Sequence, residues 1–162
     1  MTRPPLRVPE WARFWRRVPQ RRLVAAAGAL LLLVALALAF GGGQRETWPR
    51  RTILDAIRFV ESSDRDDVPD GDGGLAIGPY QIHRVYWQDA AAFDASLGGD
   101  YQDCRRRDYA ERVIDAYMRR WVPGAWRTGD AEVIARVHNG GPRGDLVAAT
   151  RRYWERVRAR LP

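Results

Sequence analysis

Residues 61–82, ESSDRDDVPDGDGGLAIGPYQI, decide the reading of the whole chain. The segment before them, Thr52 to Val60, sets Ile53, Leu54, Ile57 and Val60 on one helical stripe. Glu61 follows Ile57 by four residues, on the edge of that stripe, so its carboxylate points toward the core side. A carboxyl group half shielded by apolar neighbours favours its protonated form, as a general acid working near neutral pH requires. Taken alone, a helix-end glutamate more often faces water. The loop shifts the balance, because Asp64, Asp66, Asp67, Asp70 and Asp72 follow closely, punctuated by Gly71, Gly73 and Gly74. Two carboxylates in unlike surroundings across a cleft are what glycosidic bond hydrolysis uses. A calcium loop fails on spacing: Val68 stands at the first ligand position and Pro79 at the final glutamate position. No metal and no cofactor is expected.

Outward from this stretch the same order of blocks continues. VESS (60–63) is followed by GDGGLAIGPYQIHRVYWQDA (71–90), GDYQDC (99–104), YAERVIDAYMRRW (109–121), ARVHNGGPRG (135–144) and TRRYW (150–154). In order and spacing they resemble the invertebrate-type lysozyme (destabilase) family over roughly residues 53–157. The resemblance implies an α+β, predominantly α, lysozyme-like fold with a small β-hairpin. It also implies cleavage of the β-1,4 bond between N-acetylmuramic acid and N-acetylglucosamine in peptidoglycan by a Glu and Asp pair. Glu61 would protonate the leaving oxygen. Counted back from Gly78, the family's aspartate position falls on Gly71, leaving Asp70 and Asp72 as alternatives. Asp72, directly before the Gly73-Gly74 turn, is favoured as nucleophile or stabiliser, and Asp70, after Pro69, is expected at a solvated loop tip. Ser62, Tyr80, Gln81, His138 and Asn139 are expected to hold the loop or contact sugar hydroxyl and acetamido groups. A lytic transglycosylase would need Glu61 alone, and a non-catalytic peptidoglycan-binding domain would need neither acid. Animal members of the family are rich in cysteine, whereas Ala76 and Ile77 stand here where those often carry it, and Cys104 is the only one. It is expected to be a packed thiol, and no separate serine or cysteine site compels an isopeptidase activity.

The net charge of +7 resides mostly in the first 22 residues, which carry seven Arg and one Glu. Residues 41–162 hold 20 Arg against 19 acids, so no basic surface of the folded part points to nucleic acid. Residues 23–40, LVAAAGALLLLVALALAF, carry no charge and as a helix span about 27 Å, close to the hydrocarbon core of a bilayer. Arg on the N-terminal side places the N-terminus in the cytoplasm. The expected organisation is a basic arm (1–22), a transmembrane helix or signal anchor (23–40), a Gly-rich linker (41–47) and a monomeric catalytic domain (48–162). That domain would lie on the periplasmic or extracellular side of the inner membrane. Cleavage after Ala37 or Ala39 would instead release a secreted enzyme.

Beyond the central stretch, apolar spacing predicts three helices and a closing one. Val85, Trp87 and Phe93 face inward in 84–96, and Tyr109, Val113, Ala116, Tyr117 and Met118 in 106–121. Asp130 caps a helix with Val133, Ile134 and Val137 inward, and Leu146, Tyr153 and Val157 are the inward positions of 145–161.

Overall fold

A computed structural model describes residues 46–162. The expected basic arm and membrane span, and the first residues of the linker, lie outside the described residues. Among the described residues no helix is long and apolar enough to cross a membrane.

Six α-helices and one two-stranded hairpin make up the described fold. Helix α1 (Arg50–Ser62) buries Ile53, Leu54 and Ile57 of the predicted stripe, with its last member, Val60, only partly buried. It ends because Ser63 turns into the left-handed region (φ 53°), its N–H capping the Phe59 carbonyl. An irregular loop leads to the antiparallel pair β1 (Ala76–Ile77) and β2 (Ile82–His83), registered Ala76 to His83 and Ile77 to Ile82. The turn between them needs Gly78, since its φ is +71° and an added Cβ would lie 2.1 Å from the Cys104 carbonyl oxygen. That close approach lets the hairpin seat on the 3-10 segment Tyr101–Arg105.

Helix α2 (Arg84–Phe93) packs along α3 (Arg107–Trp121), whose Val113, Ile114, Ala116, Tyr117 and Met118 form the centre of the core. Pro123 opens the short α4 (Pro123–Thr128), and Asp130 caps α5 (Ala131–Gly140) by accepting from the Val133 N–H. Helix α6 (Arg151–Arg158) closes the fold against α1 and α5.

Two inward faces differ from the sequence reading. In α2 Tyr86 and Ala90 are buried, whereas Val85 is 70 % exposed and Phe93 lies under the Arg119 guanidinium. Tyr86 stacks on Tyr117 at 3.5 Å, a partner that apolar counting one residue out of phase does not reveal. The predicted closing helix is also shorter. Residues Gly144–Leu146 and Ala148–Thr150 form separate 3-10 turns with an extended Val147 between them, and Leu146 is 68 % exposed. Buried Arg136 causes this break: it donates to Thr150 Oγ1 and to the Val147 carbonyl, holding the segment away from α-helical geometry.

Candidate active site

Glu61 sits in the last turn of α1, where the helix meets the acidic loop. Its side chain is 18 % exposed, and Oε1 accepts a 2.7 Å hydrogen bond from the Tyr153 hydroxyl of α6. Burial raises the Glu61 pKa above the usual glutamate range. The Tyr153 hydrogen bond and the Arg156 charge pull it back, while nearby Asp72 pushes it up again. His138 Nε2 stands 3.8 Å from Oε1 but is not an ionic partner. Its Nε2–H donates to the Tyr80 carbonyl at 3.2 Å, and burial lowers its pKa to about 4, so the ring is neutral near pH 7. A neutral ring leaves the protonated form of Glu61 unopposed from that side.

The loop carboxylates are sorted by their partners. Asp64 and Asp66 pair with Arg58, whose guanidinium is drawn into the core side of α1. Asp70 is gripped by both terminal nitrogens of Arg105 at 2.5 and 2.8 Å, and this hydrogen bonding holds its pKa below the usual carboxylate range. Among the described residues Asp72 meets only a histidine, with Oδ2 2.9 Å from His83 Nε2. The expected order of exposure is therefore reversed: the Asp70 side chain is 30 % exposed and that of Asp72 70 %. Arginine capture, not loop position, decides it. Asp72 also adopts φ +49°, a conformation uncommon outside glycine, immediately before Gly73 and Gly74.

A cleft of about 340 Å³ has Glu61 on one wall and Asp72 and His83 on another, with Gln81, Asn139 and Arg156 completing it. It joins a second hollow of about 450 Å³ through His83, His138 and Asn139, walled further on by Tyr86, Tyr117 and Pro142. Of the residues singled out in the sequence, Glu61, Asp72, Gln81, His138 and Asn139 converge on this cleft. Gln81 reaches back through Nε2 to the Gly78 and Pro69 carbonyls, tying hairpin to loop. Ser62 and Tyr80 stand behind the wall instead. The Ser62 hydroxyl donates to the Arg58 carbonyl, and the buried Tyr80 ring sends its hydroxyl to Glu111 at 2.8 Å. Cys104 is buried, its thiol pushed up to about 12 chiefly by burial, which suits a packed side chain and not a nucleophile.

Three residues of the site escaped the sequence reading: His83, Tyr153 and Arg156. Alternation along β2 carries a signal for His83, since buried Ile82 turns its neighbour outward into the cleft. Tyr153 reads as one more inward aromatic, and nothing in its spacing shows that its hydroxyl reaches a carboxylate 92 positions earlier.

The Destabilase family model matches residues 54–160. The chain belongs to the Destabilase family. Lysozyme 1 of Crassostrea virginica is 41 % identical to this destabilase domain over 83 residues, which are 51 % of the chain and 43 % of that relative. Invertebrate-type lysozyme 6 of Caenorhabditis elegans is 34 % identical over 100 residues, covering 57 % of the chain and 70 % of the relative. Matches to the oyster lysozymes of Crassostrea virginica and Magallana gigas span about half of those relatives, 43 % and 56 %. Among solved structures, the Meretrix lusoria lysozyme in complex with Aeromonas hydrophila PliI superposes with a TM-score of 0.57 at 31 % identity, over 67 % of this chain and 88 % of that one. The Tapes japonica lysozyme gives 0.52 at 28 %, over 66 % and 86 %. The destabilase domain thus has the predominantly helical, lysozyme-like α+β fold, with the small hairpin beside the cleft.

Proposed function

We propose that this destabilase domain is a muramidase, hydrolysing the β-1,4 bond between N-acetylmuramic acid and N-acetylglucosamine in peptidoglycan. One observation carries the reading: a shielded carboxyl with raised pKa, Glu61, shares a cleft with an open carboxylate, Asp72, that pairs with no arginine among the described residues. In this mechanism Glu61 gives its proton to the leaving glycosidic oxygen, and Asp72 attacks or stabilises the oxocarbenium centre from the opposite face. Glu61, deprotonated by that step, then takes a proton from the incoming water. Gln81 and Asn139, which line the cleft, offer hydrogen bonds to sugar substituents. The lysozyme names of the relatives support the substrate class. Incubating the full-length chain with purified peptidoglycan tests it, with steady appearance of new reducing ends as the expected result and none as the contradiction.

The uncharged run at 23–40 supports the further proposal that the domain is held at the inner membrane and works on its outer side. After alkaline carbonate extraction, full-size protein is expected in the membrane pellet. Full-size protein in the supernatant would remove the anchor, and a shortened soluble form would show cleavage near Ala37 or Ala39.

A further inference from the structure

Helix α6 lies far from the acidic loop in sequence, yet it supplies the only hydrogen bond that the described residues make to the side chain of Glu61. We propose that Tyr153 is the positioning residue of the general acid: its hydroxyl holds Glu61 Oε1 and leaves Oε2 as the oxygen that carries the proton to substrate. The inference rests on the reading of Glu61 as the acid, and it adds how that acid is aimed.

The Tyr153 ring is buried between α1 and α6, and burial with Glu61 alongside pushes its own pKa well up, so the hydroxyl stays protonated and donates at every working pH. Because Oε1 accepts from Tyr153, a proton arriving at the carboxyl goes to Oε2. The other groups facing Glu61 do not perform this task. His138 of α5 commits Nε2–H to the Tyr80 carbonyl, and His83 of β2 is engaged by Asp72. Arg156 of α6 acts through its charge, with one guanidinium nitrogen on the Val60 carbonyl. A donor on Oε1 also favours the carboxylate, so it offsets part of the upward push of burial.

Tyr153→Phe keeps the ring and removes the donor, and two readouts separate aiming from packing. The plateau kcat on peptidoglycan is expected to fall by roughly tenfold to a hundredfold through lost orientation, with KM little changed. The basic limb of the pH profile, which reports loss of the Glu61 proton, is expected to move up by about one pH unit, since the carboxylate loses a charge-assisted hydrogen bond. Site-specific 3,5-difluorotyrosine at 153, a stronger donor on the same ring, is expected to move that limb down. A residue that only packs would change thermal stability in the Phe variant and leave the limb in place. An unmoved limb in the folded Phe variant overturns the proposal. If that variant does not fold, an unmoved limb in the fluorinated protein overturns it instead. Either outcome leaves the role of Glu61 to its own variant, Glu61→Gln, so the two claims fail separately.

Discussion

Glu61→Gln is expected to lower peptidoglycan hydrolysis by at least about a hundredfold while the protein stays folded. The amide keeps the length and shape of the side chain, and its oxygen still accepts from Tyr153, so no buried hydroxyl is orphaned. What it loses is the transferable proton. The stability effect has a defined sign. A carboxyl whose folded pKa is raised binds its proton more tightly in the folded state, so its contribution is present below the unfolded pKa and is lost as pH rises through the folded one. The Gln variant is free of that loss, and near pH 7 it is expected to melt at or above the parent temperature. Thermal unfolding followed beside wall turnover checks both halves. Activity within a few-fold of the parent would remove Glu61 from the mechanism.

Asp72→Asn is the second large effect. The side chain lines the cleft, faces His83 and pairs with no arginine among the described residues, so the substitution removes the charge that meets the developing oxocarbenium centre. A loss of about a hundredfold in kcat is expected, similar to other losses of one charge-stabilising group. Asp70→Asn is the matched control, for that carboxylate is already committed to Arg105 in an exposed, solvent-screened pair that adds little to stability. It is expected to keep nearly full activity with a small change in stability. Retained activity in Asp72→Asn with loss in Asp70→Asn would exchange the two assignments. Retained activity in both would favour transglycosylation by a single glutamate, in which the sugar itself attacks.

The helical stripe of α1 and the position of Glu61 at its edge were legible in the sequence because apolar periodicity records which face is buried. The same logic failed at Val85, where Tyr86 rather than its apolar neighbour turns inward to stack on Tyr117. It failed again at Leu146, because a buried arginine, Arg136, dictates the path of the chain there through hydrogen bonds that hydropathy does not register. In the loop, composition announced a surplus of acids but not their sorting. Which aspartate stays open depends on the reach of Arg58 and Arg105, and these partners come from a helix before the loop and a 3-10 turn after it. Hydroxyls follow the same rule. Tyr80 reads as a sugar contact and Tyr153 as aromatic core, yet the first supports Glu111 behind the hairpin and the second holds the candidate acid.

Digestion of purified peptidoglycan in water enriched in oxygen-18, followed by mass spectrometry of the soluble fragments, tests the central claim most directly. A two-carboxylate muramidase is predicted to leave each new fragment with a reducing N-acetylmuramic acid end carrying one heavy oxygen from the attacking water. Fragments ending in anhydro-sugar without heavy oxygen, or an undigested wall, would contradict it.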